Sequence, residues 1–429
     1  MENFLSIQDF LRTEPPKGPG HRPLTISETG VRQSTLEDLA LKTLYLYGPF
    51  SVVELSERTR LSFEVANELY TRLRSEQHCQ VTGMTGNIPV ISLTMQGRLR
   101  AVELLAHNQY SGPAPISLAS YVEQVRLQSV RNVEVHPEDV VQAFSHLVMD
   151  HATLWKLGTA LNSGAAIFLY GPSGVGKTAI AETLSRVLAK DEVWIPLAVE
   201  VDGQIISVFD PVIHVRVPEL EPGKRDERWV LCHRPTVLVG GELTVEMLDL
   251  QFNSMTRYYA APVQMKANNG VLIIDDFGRQ RLRPAELLNR WVVPLDRRID
   301  FLTLAGGRKI EVPFEMLVVF ASNMDPAELV DPAFLRRIQT KIKVGAITDE
   351  QFHEIFRRYA TEMEIEADPE VVKYLIEIIR VSLKQELRGC FPRDVVNQIC
   401  WAARFEGRKP QIDRPAVIRA VEAYFLPKG

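Results

Sequence analysis

The amino-acid sequence predicts an α/β fold, a parallel sheet flanked by helices, with an all-helical segment after it and a smaller α+β unit before it. Three observations carry this reading. The first is Gly171-Pro172-Ser173-Gly174-Val175-Gly176-Lys177-Thr178, which fits G-x-x-x-x-G-K-[ST] and follows Ala166-Ile167-Phe168-Leu169-Tyr170, an apolar run that reads as a buried strand. The second is Gly270-Val271-Leu272-Ile273-Ile274-Asp275-Asp276, an apolar strand ending in two carboxylates. The third is Met316-Leu317-Val318-Val319-Phe320-Ala321-Ser322, a further apolar strand ending at Asn323. Strands buried on both faces read as continuous apolar runs, and in an open parallel sheet the active groups gather at their C-terminal ends.

Behind the first motif, Ala179 to Leu188 carries apolar residues at helical spacing, so strand, loop and helix occur in the order the motif requires. The glycines let backbone N–H groups close around phosphate oxygens, and the helix N-terminus adds its partial positive charge. Residues Gly171 to Thr178 are therefore the nucleotide-binding candidates. Lys177 is expected to bridge the β- and γ-phosphates of ATP, and the Thr178 hydroxyl to hold Mg²⁺. Asp275 is the metal-side carboxylate and Asp276 the base for the attacking water. Asn323 is placed to position that water, the alternative being a turn residue before Asp325-Pro326.

A chain of 429 residues exceeds one ordinary core and predicts two or three domains. Its net charge of −5 offers no global electrostatic reason for nucleic acid or an anionic membrane as partner. The four cysteines, Cys79, Cys232, Cys390 and Cys400, lack C-x-x-C or zinc spacing and read as free thiols in a reducing compartment. No basic-then-apolar signal opens the chain, and no apolar run approaches the ~20 residues of a membrane helix. The expectation is a soluble cytoplasmic protein without a membrane partner.

Along the chain, residues 1–33, with Pro15, Pro16, Pro19 and Pro23, read as a mobile tail. Residues 34–108 form the α+β unit. Ser34-Thr35-Leu36-Glu37 reads as a capping box ahead of a helix to about Tyr47. A second helix follows from Val52 to Arg60, and a third from Ser62 with Val65, Leu69 and Leu73 on one face. Strands Cys79–Met84 and Pro89–Thr94 flank Thr85-Gly86-Asn87, and a helix from Gln96 to Leu105 closes the unit. This order is that of a winged helix, and Ile91 to Arg98 resembles the end of the wing in bacterial regulators of that fold. Seven Arg/Lys against eight Asp/Glu make the unit net acidic, and the third helix carries Glu64, Glu68 and Glu76 against Arg72 and Arg74. Phosphate contacts need a basic face. Protein docking or a structural role is thus set beside DNA binding.

Residues 109–134, opened by Gly112-Pro113-Ala114-Pro115, read as a linker, and 135–346 as the nucleotide-binding domain. Phe144 to Val148 stands either against adenine or in plain core packing. Asp331 to Ile338 reads as a short helix with a basic end. Residues 347–429 hold helices at about Asp349–Met363, capped by Thr348-Asp349-Glu350-Gln351, then Pro369–Leu387, Arg393–Phe405 and Arg414–Tyr424.

The loop, the acidic pair, Asn323, Arg337 and Phe391-Pro392-Arg393 occur in the order and spacing of the AAA+ ATPases, a resemblance covering about 135–426. It implies a P-loop core with Walker A and Walker B strands and a C-terminal helical lid. It further implies that Asn323 is the first sensor, Arg337 the finger reaching a neighbour's γ-phosphate with Arg336 as the fallback, and Arg393 the second sensor on the lid. The strand-like segment Asp202–Gly241 and the hairpin Ile299–Pro313 are similar to insertions of the MoxR-type, chelatase and enhancer-activator branch of ring-forming remodellers. In such rings Arg308 and Lys309 face the pore, or else they lie on a solvated tip. An N-terminal winged helix on such an ATPase also resembles a group of bacterial chaperone-type ATPases. One departure is Asp276, where the family usually has Glu.

The implied protein is a Mg-dependent, ATP-hydrolysing homo-oligomer, a hexameric ring acting on a protein substrate or assembly partner. The second reading is a nucleotide-switched DNA-binding regulator. A phosphate-loop kinase is the third, and the lid arginine and finger region have no purpose there.

Overall fold

The computed structural model describes residues 18–218, 225–329 and 332–425, so residues 1–17 of the expected tail and Asp331 lie outside the described residues. The first unit is built of α1 (Gln33–Tyr47), β1 (Phe50–Ser51), α2 (Val52–Thr59), α3 (Phe63–Ser75), β2 (Cys79–Thr85), β3 (Ile88–Leu93) and α4 (Met95–His107). Ser51, Ser62 and Thr94 accept bonds from the backbone N–H groups of Glu54, Val65 and Gly97, satisfying donors that a helix start leaves unpaired. The strands form an antiparallel sheet ordered β1-β3-β2.

The expected Ser34–Glu37 capping box does not form. The helix starts two residues earlier, at Gln33, with Arg32 as an N-cap that makes no side-chain cap bond. The Arg32 guanidinium instead holds Glu200 at 2.7 Å, so a tertiary ion pair sits where local capping was expected. The tail reading is likewise corrected over 18–33. Ile26 and Val31 are buried, Arg22 donates to the Leu61 carbonyl, and Ile26 N–H donates to Glu68. Val65 and Leu69 of α3 share a cluster with Ile26, Val31, Ala198 and Ile205, so that side of the helix is covered by the protein itself.

The chain continues through β4 (Ile116–Ser117), α5 (Leu118–Leu127), α6 (Pro137–Ala143), α7 (His151–Ser163), β5 (Ile167–Tyr170), α8 (Lys177–Leu188), β6 (Glu192–Pro196), β7 (Ala198–Val201) and β8 (Gln204–Ser207). Next come β9 (Trp229–His233), β10 (Thr236–Val239), β11 (Gln251–Phe252), β12 (Tyr259–Ala260), α9 (Val263–Lys266), β13 (Val271–Ile274) and α10 (Pro284–Arg297). β14 (Ile299–Thr303), β15 (Lys309–Pro313), β16 (Leu317–Ser322), α11 (Pro326–Leu329), α12 (Pro332–Leu335) and β17 (Thr340–Lys343) follow.

The principal sheet is five parallel strands in the order β10-β13-β16-β5-β17. Alternate residues of its strands point to opposite faces. Ile167, Leu169, Val271, Ile273 and Val319 meet Phe144, Leu157, Ile180 and Leu184 on one side. Phe168, Leu272, Ile274, Val318 and Phe320 meet Leu287, Leu288 and Trp291 of α10 on the other. Both faces are therefore covered, as a parallel sheet requires. β10, inside the segment expected to be an insertion, is an edge strand of this sheet.

A second sheet, β11-β12-β8-β7-β4, and the pairs β6-β9 and β14-β15 surround a separate core. The expected linker 109–134 is part of it. β4 pairs with β7, Tyr121 and Val125 of α5 are buried in that core, and the Gln128 amide exchanges bonds with the Trp194 backbone at 3.0 and 2.6 Å. A two-residue strand paired some eighty residues away leaves no periodicity to read.

The last unit comprises α13 (Asp349–Glu362), α14 (Pro369–Glu377), α15 (Cys390–Phe405) and α16 (Arg414–Tyr424), around Phe352, Phe356, Leu375, Val395, Ile399 and Val417. The Thr348–Gln351 capping box forms. The helix expected to run to Leu387 ends at Glu377 and passes into a π-helical turn, Ile378–Ser382, and α15 begins at Cys390 rather than Arg393.

Arg228, just before β9, ties residues 18–33 to the segment that leads into β4. Its side chain is 4% exposed, pairs with Asp226 at 2.8 Å, and donates to the carbonyls of Thr29 and Pro115, each at 3.0 Å. Removing one partner of a buried ion pair leaves the other charge uncompensated, which costs about 3–5 kcal/mol. Arg228→Ala is expected to lower the urea midpoint accordingly and to open residues 18–33 to limited proteolysis. An unchanged cleavage pattern would show that other contacts hold that stretch.

Candidate functional site

β5 ends at Tyr170 and the chain turns directly into the glycine loop, with α8 starting at Lys177. A Cβ on Gly171 would lie 2.0 Å from the carbonyl oxygen of Val344, so only glycine lets the two backbones approach. Gly176, with φ of +96°, is the N-cap of α8 and turns the chain into the helix. The Lys177 residue is only 8% exposed, and its Nζ donates to the carbonyls of Gly171 at 3.0 Å and Pro172 at 2.8 Å. Burial draws the Lys177 pKa down, while the nearby Asp275 and Asp276 carboxylates hold it up. The ammonium is thus folded over its own loop.

The expected constellation assembles on three adjacent strands, β13, β16 and β5. Ile274 lies beside Phe320 and Ser322 beside Tyr170, so the residues that follow each strand emerge at one edge. Thr178 Oγ1 donates to Asp275 Oδ2 at 2.8 Å, bringing together the two side chains expected to hold the metal. Their oxygens suit a hard cation. Among the described residues no group of three or more His, Cys, Asp or Glu side chains is placed to bind a metal.

Asp276 donates its backbone N–H to Asp275 Oδ1 at 2.9 Å and has φ of +49°. Aspartate is enriched in this left-handed region over most side chains, though Glu364 also enters it, with φ of +57°. The Asn323 Oδ1 atom is buried and has no hydrogen-bond partner among the described residues. Leaving such an acceptor unpaired costs about 1–3 kcal/mol, so its position at the strand edge marks a place for a partner from outside the chain.

The arginines are distributed differently. Arg393 on α15 pairs with Asp394 at 3.0 Å, and Asp394 also accepts the Tyr424 hydroxyl at 2.7 Å. Arg337 donates to Asp296 of α10 at 2.8 Å, while Arg336 is exposed. Phe144, 2% exposed, sits in the core beside the sheet, which is the packing alternative for that residue. Arg308, at the hairpin tip, pairs with Asp202 in the β7–β8 turn at 2.6 Å, and Lys309 is exposed.

Two features escape sequence reasoning. The Gln280 amide donates to the Asp275 carbonyl at 2.7 Å and anchors the end of the acidic strand, with no motif to announce it. The backbone N–H of Cys390 donates to the Gly174 carbonyl at 3.0 Å, which fixes the start of α15 against the loop.

Fold and site together define the class: a P-loop α/β domain with a C-terminal helical lid. A family described as "Domain of unknown function (DUF8689)" matches residues 348–423, the lid. The chain is 31% identical over 211 residues to a proteasome-associated ATPase of Acidimicrobium ferrooxidans, covering 47% of this chain and 29% of that protein. It is 27% identical over 247 residues to a proteasome-associated ATPase of a Nocardioides species, covering 57% and 33%. The chain therefore spans about a third of the length of these relatives. Among solved structures it is similar to NtrX of Brucella abortus in complex with ATP, at TM-score 0.40 and 15% identity over 77% of this chain and 65% of that one. The RuvB Holliday junction branch migration motor of Thermotoga maritima matches at TM-score 0.39 and 15% identity, over 64% and 70%.

Two glycine substitutions share backbone strain and differ in close approach. Both Gly171 and Gly176 have a positive φ, +143° and +96°, but in Gly171→Ala the new methyl also meets a backbone oxygen that no rotamer can move, whereas around Gly176 an added Cβ meets nothing within 4 Å and only the φ is penalised, by about 1–2 kcal/mol. Gly171→Ala is expected to lower the thermal midpoint several degrees more than Gly176→Ala. Equal midpoints would mean that the approach of Val344 is not tight in solution.

Proposed function

We propose that this chain is an AAA+-type ATPase that assembles with copies of itself and remodels a protein partner. The observation that carries the reading is the meeting of Thr178 Oγ1, Asp275, Asp276, Lys177 and the orphaned Asn323 amide oxygen at the edge of one parallel sheet. Lys177 leaves its loop carbonyls for the phosphates of ATP, and the loop N–H groups hold those oxygens. Thr178 and Asp275 would hold Mg²⁺, which supplies neutralisation of the phosphate charge. Asp276 takes a proton from the water as its oxygen attacks the γ-phosphorus and ADP leaves, while Asn323 orients that water.

Assembly enters through the arginine finger. Arg337, with Arg336 as the fallback, follows the sensor strand and serves the phosphate loop of a neighbouring subunit, as the resemblance to AAA+ rings implies. A hexameric ring and a MoxR-type branch belong to the same reading, supported by the hairpin β14–β15 directly before β16. A protein partner is favoured by the name of the relatives, by the acidic balance of residues 34–108, and by the covered face of α3. The winged-helix likeness of that unit rests on its order of elements. No helix among the described residues is long and apolar enough to cross a membrane. The second reading, a DNA-binding regulator, requires duplex binding that falls steeply with added salt.

Lys177→Ala is expected to abolish ATP binding measured by calorimetry, and near-normal affinity would reject the site. Asp276→Asn is expected to keep Mg-ATP bound and stop turnover. Survival of the parental rate would remove Asp276 as the base.

Arginine fingers contribute roughly 10³ to 10⁵ in rate, so Arg337→Ala is expected to cut turnover by at least hundreds of fold with binding little changed. Mixing Arg337→Ala with Lys177→Ala subunits then restores activity at interfaces that pair an intact loop with an intact arginine. No recovery in subunits shown to co-assemble would overturn action across a boundary.

A further inference from the structure

The strap that leads into α15, Arg388-Gly389-Cys390, lies across the phosphate loop. Cys390 N–H donates to the Gly174 carbonyl at 3.0 Å, and a Cβ on Gly174 would meet Cys390 Sγ at 2.6 Å and Arg388 Cδ at 3.6 Å. A Cβ on Gly389 would in turn lie 3.8 Å from the Val175 carbonyl oxygen. The aliphatic stem of Arg388 is therefore packed on the backbone that is to wrap the phosphates.

Charge accounting around the loop singles out this arginine. Lys177 faces Asp275 and Asp276, and Arg393 is paired with Asp394. Arg388 is half-buried, and its guanidinium stands 5.6 Å from the centre of the Phe391 ring with no carboxylate at ion-pair distance among the described residues. A guanidinium removed in part from water without an anion is unfavourable, and its fork geometry suits phosphate oxygens.

We propose that Arg388 is a further binding residue for the nucleotide phosphates, brought over the loop by the lid and distinct from the expected sensor Arg393. The proposal rests on the nucleotide-site reading. It also makes the lid directly sensitive to what the loop holds, because the same strap is tied to Gly174.

The test is calorimetric binding of ATP and of ADP, with Mg²⁺, to the full chain and to Arg388→Ala, Arg388→Gln, Arg388→Lys, Arg388→Met, Arg393→Ala and Lys177→Ala. Loss of a charge-assisted bond to phosphate is expected to weaken ATP binding about tenfold or more in Arg388→Ala and Arg388→Gln. Arg388→Lys keeps the charge and most of the stem but not the fork and is expected to recover part of the affinity, whereas Arg388→Met, an uncharged stem of similar length, is expected to stay as weak as Arg388→Gln, a difference that a packing role alone would not produce. ATP binding within twofold of the parent in Arg388→Ala, or equal weakening in the Lys and Gln variants, overturns the proposal. Lys177→Ala separates the two levels. If it too binds ATP normally, the loop is not the nucleotide site and both readings fall; if it loses ATP while Arg388→Ala does not, only the role of Arg388 falls.

Discussion

One hydrogen bond, from the Thr178 hydroxyl to the Asp275 carboxylate, joins positions 97 residues apart and closes the site over an intervening strand. It exists because β5, β16 and β13 run parallel and in register, so that all three release their next residues at the same edge. Antiparallel pairing would send alternate strand ends to opposite edges and scatter the loop, the acidic pair and Asn323. The burial of both sheet faces thus positions the chemistry, since the apolar runs that demand a covered parallel sheet also determine where the polar residues emerge.

That edge concentrates arrangements that would be unfavourable elsewhere. Lys177 is buried and bonded to its own loop, Asp276 has a left-handed backbone, and the Asn323 oxygen is left without a partner among the described residues. Each is tolerated because the sheet and the two cores beside it hold the local backbone in place.

The parts away from the edge combine apolar cores with a few buried charges. Arg228 with Asp226 reaches carbonyls on two other segments, and Arg234 pairs with Asp191 while donating to the carbonyls of Gln128 and Asn269. Such buried guanidiniums add little net stability over apolar substitutes, but they demand that every partner be in place. Arg228 reaches the Thr29 carbonyl in residues 18–33, a stretch with few apolar residues of its own, whereas residues 116–132 also contribute Ile116, Tyr121 and Val125 to the core. The Arg308–Asp202 pair joins two hairpin turns at the surface.

The glycine-rich motif loop, the acidic strand, the strand ending at Asn323 and the helices α2, α3 and α13 were legible in the sequence, because each is encoded by neighbours within about ten residues: a motif, an apolar run, helical spacing and, for α13, a cap. The α/β class followed from those runs. Four features depended on the tertiary structure: the helix start at Gln33, the packing of 18–33, the strand at Ile116–Ser117, and the strap from Arg388 to Cys390 on Gly174. All four are set by partners far along the chain, through an ion pair, a buried guanidinium, a two-residue ladder and a backbone bond. Such contacts leave no period and no motif, since what selects them is the surface presented by the rest of the folded protein. The pairing of Arg337 with Asp296 is of the same kind: the sequence supplied the arginine, and only the packing of α10 beside it decided which carboxylate it meets.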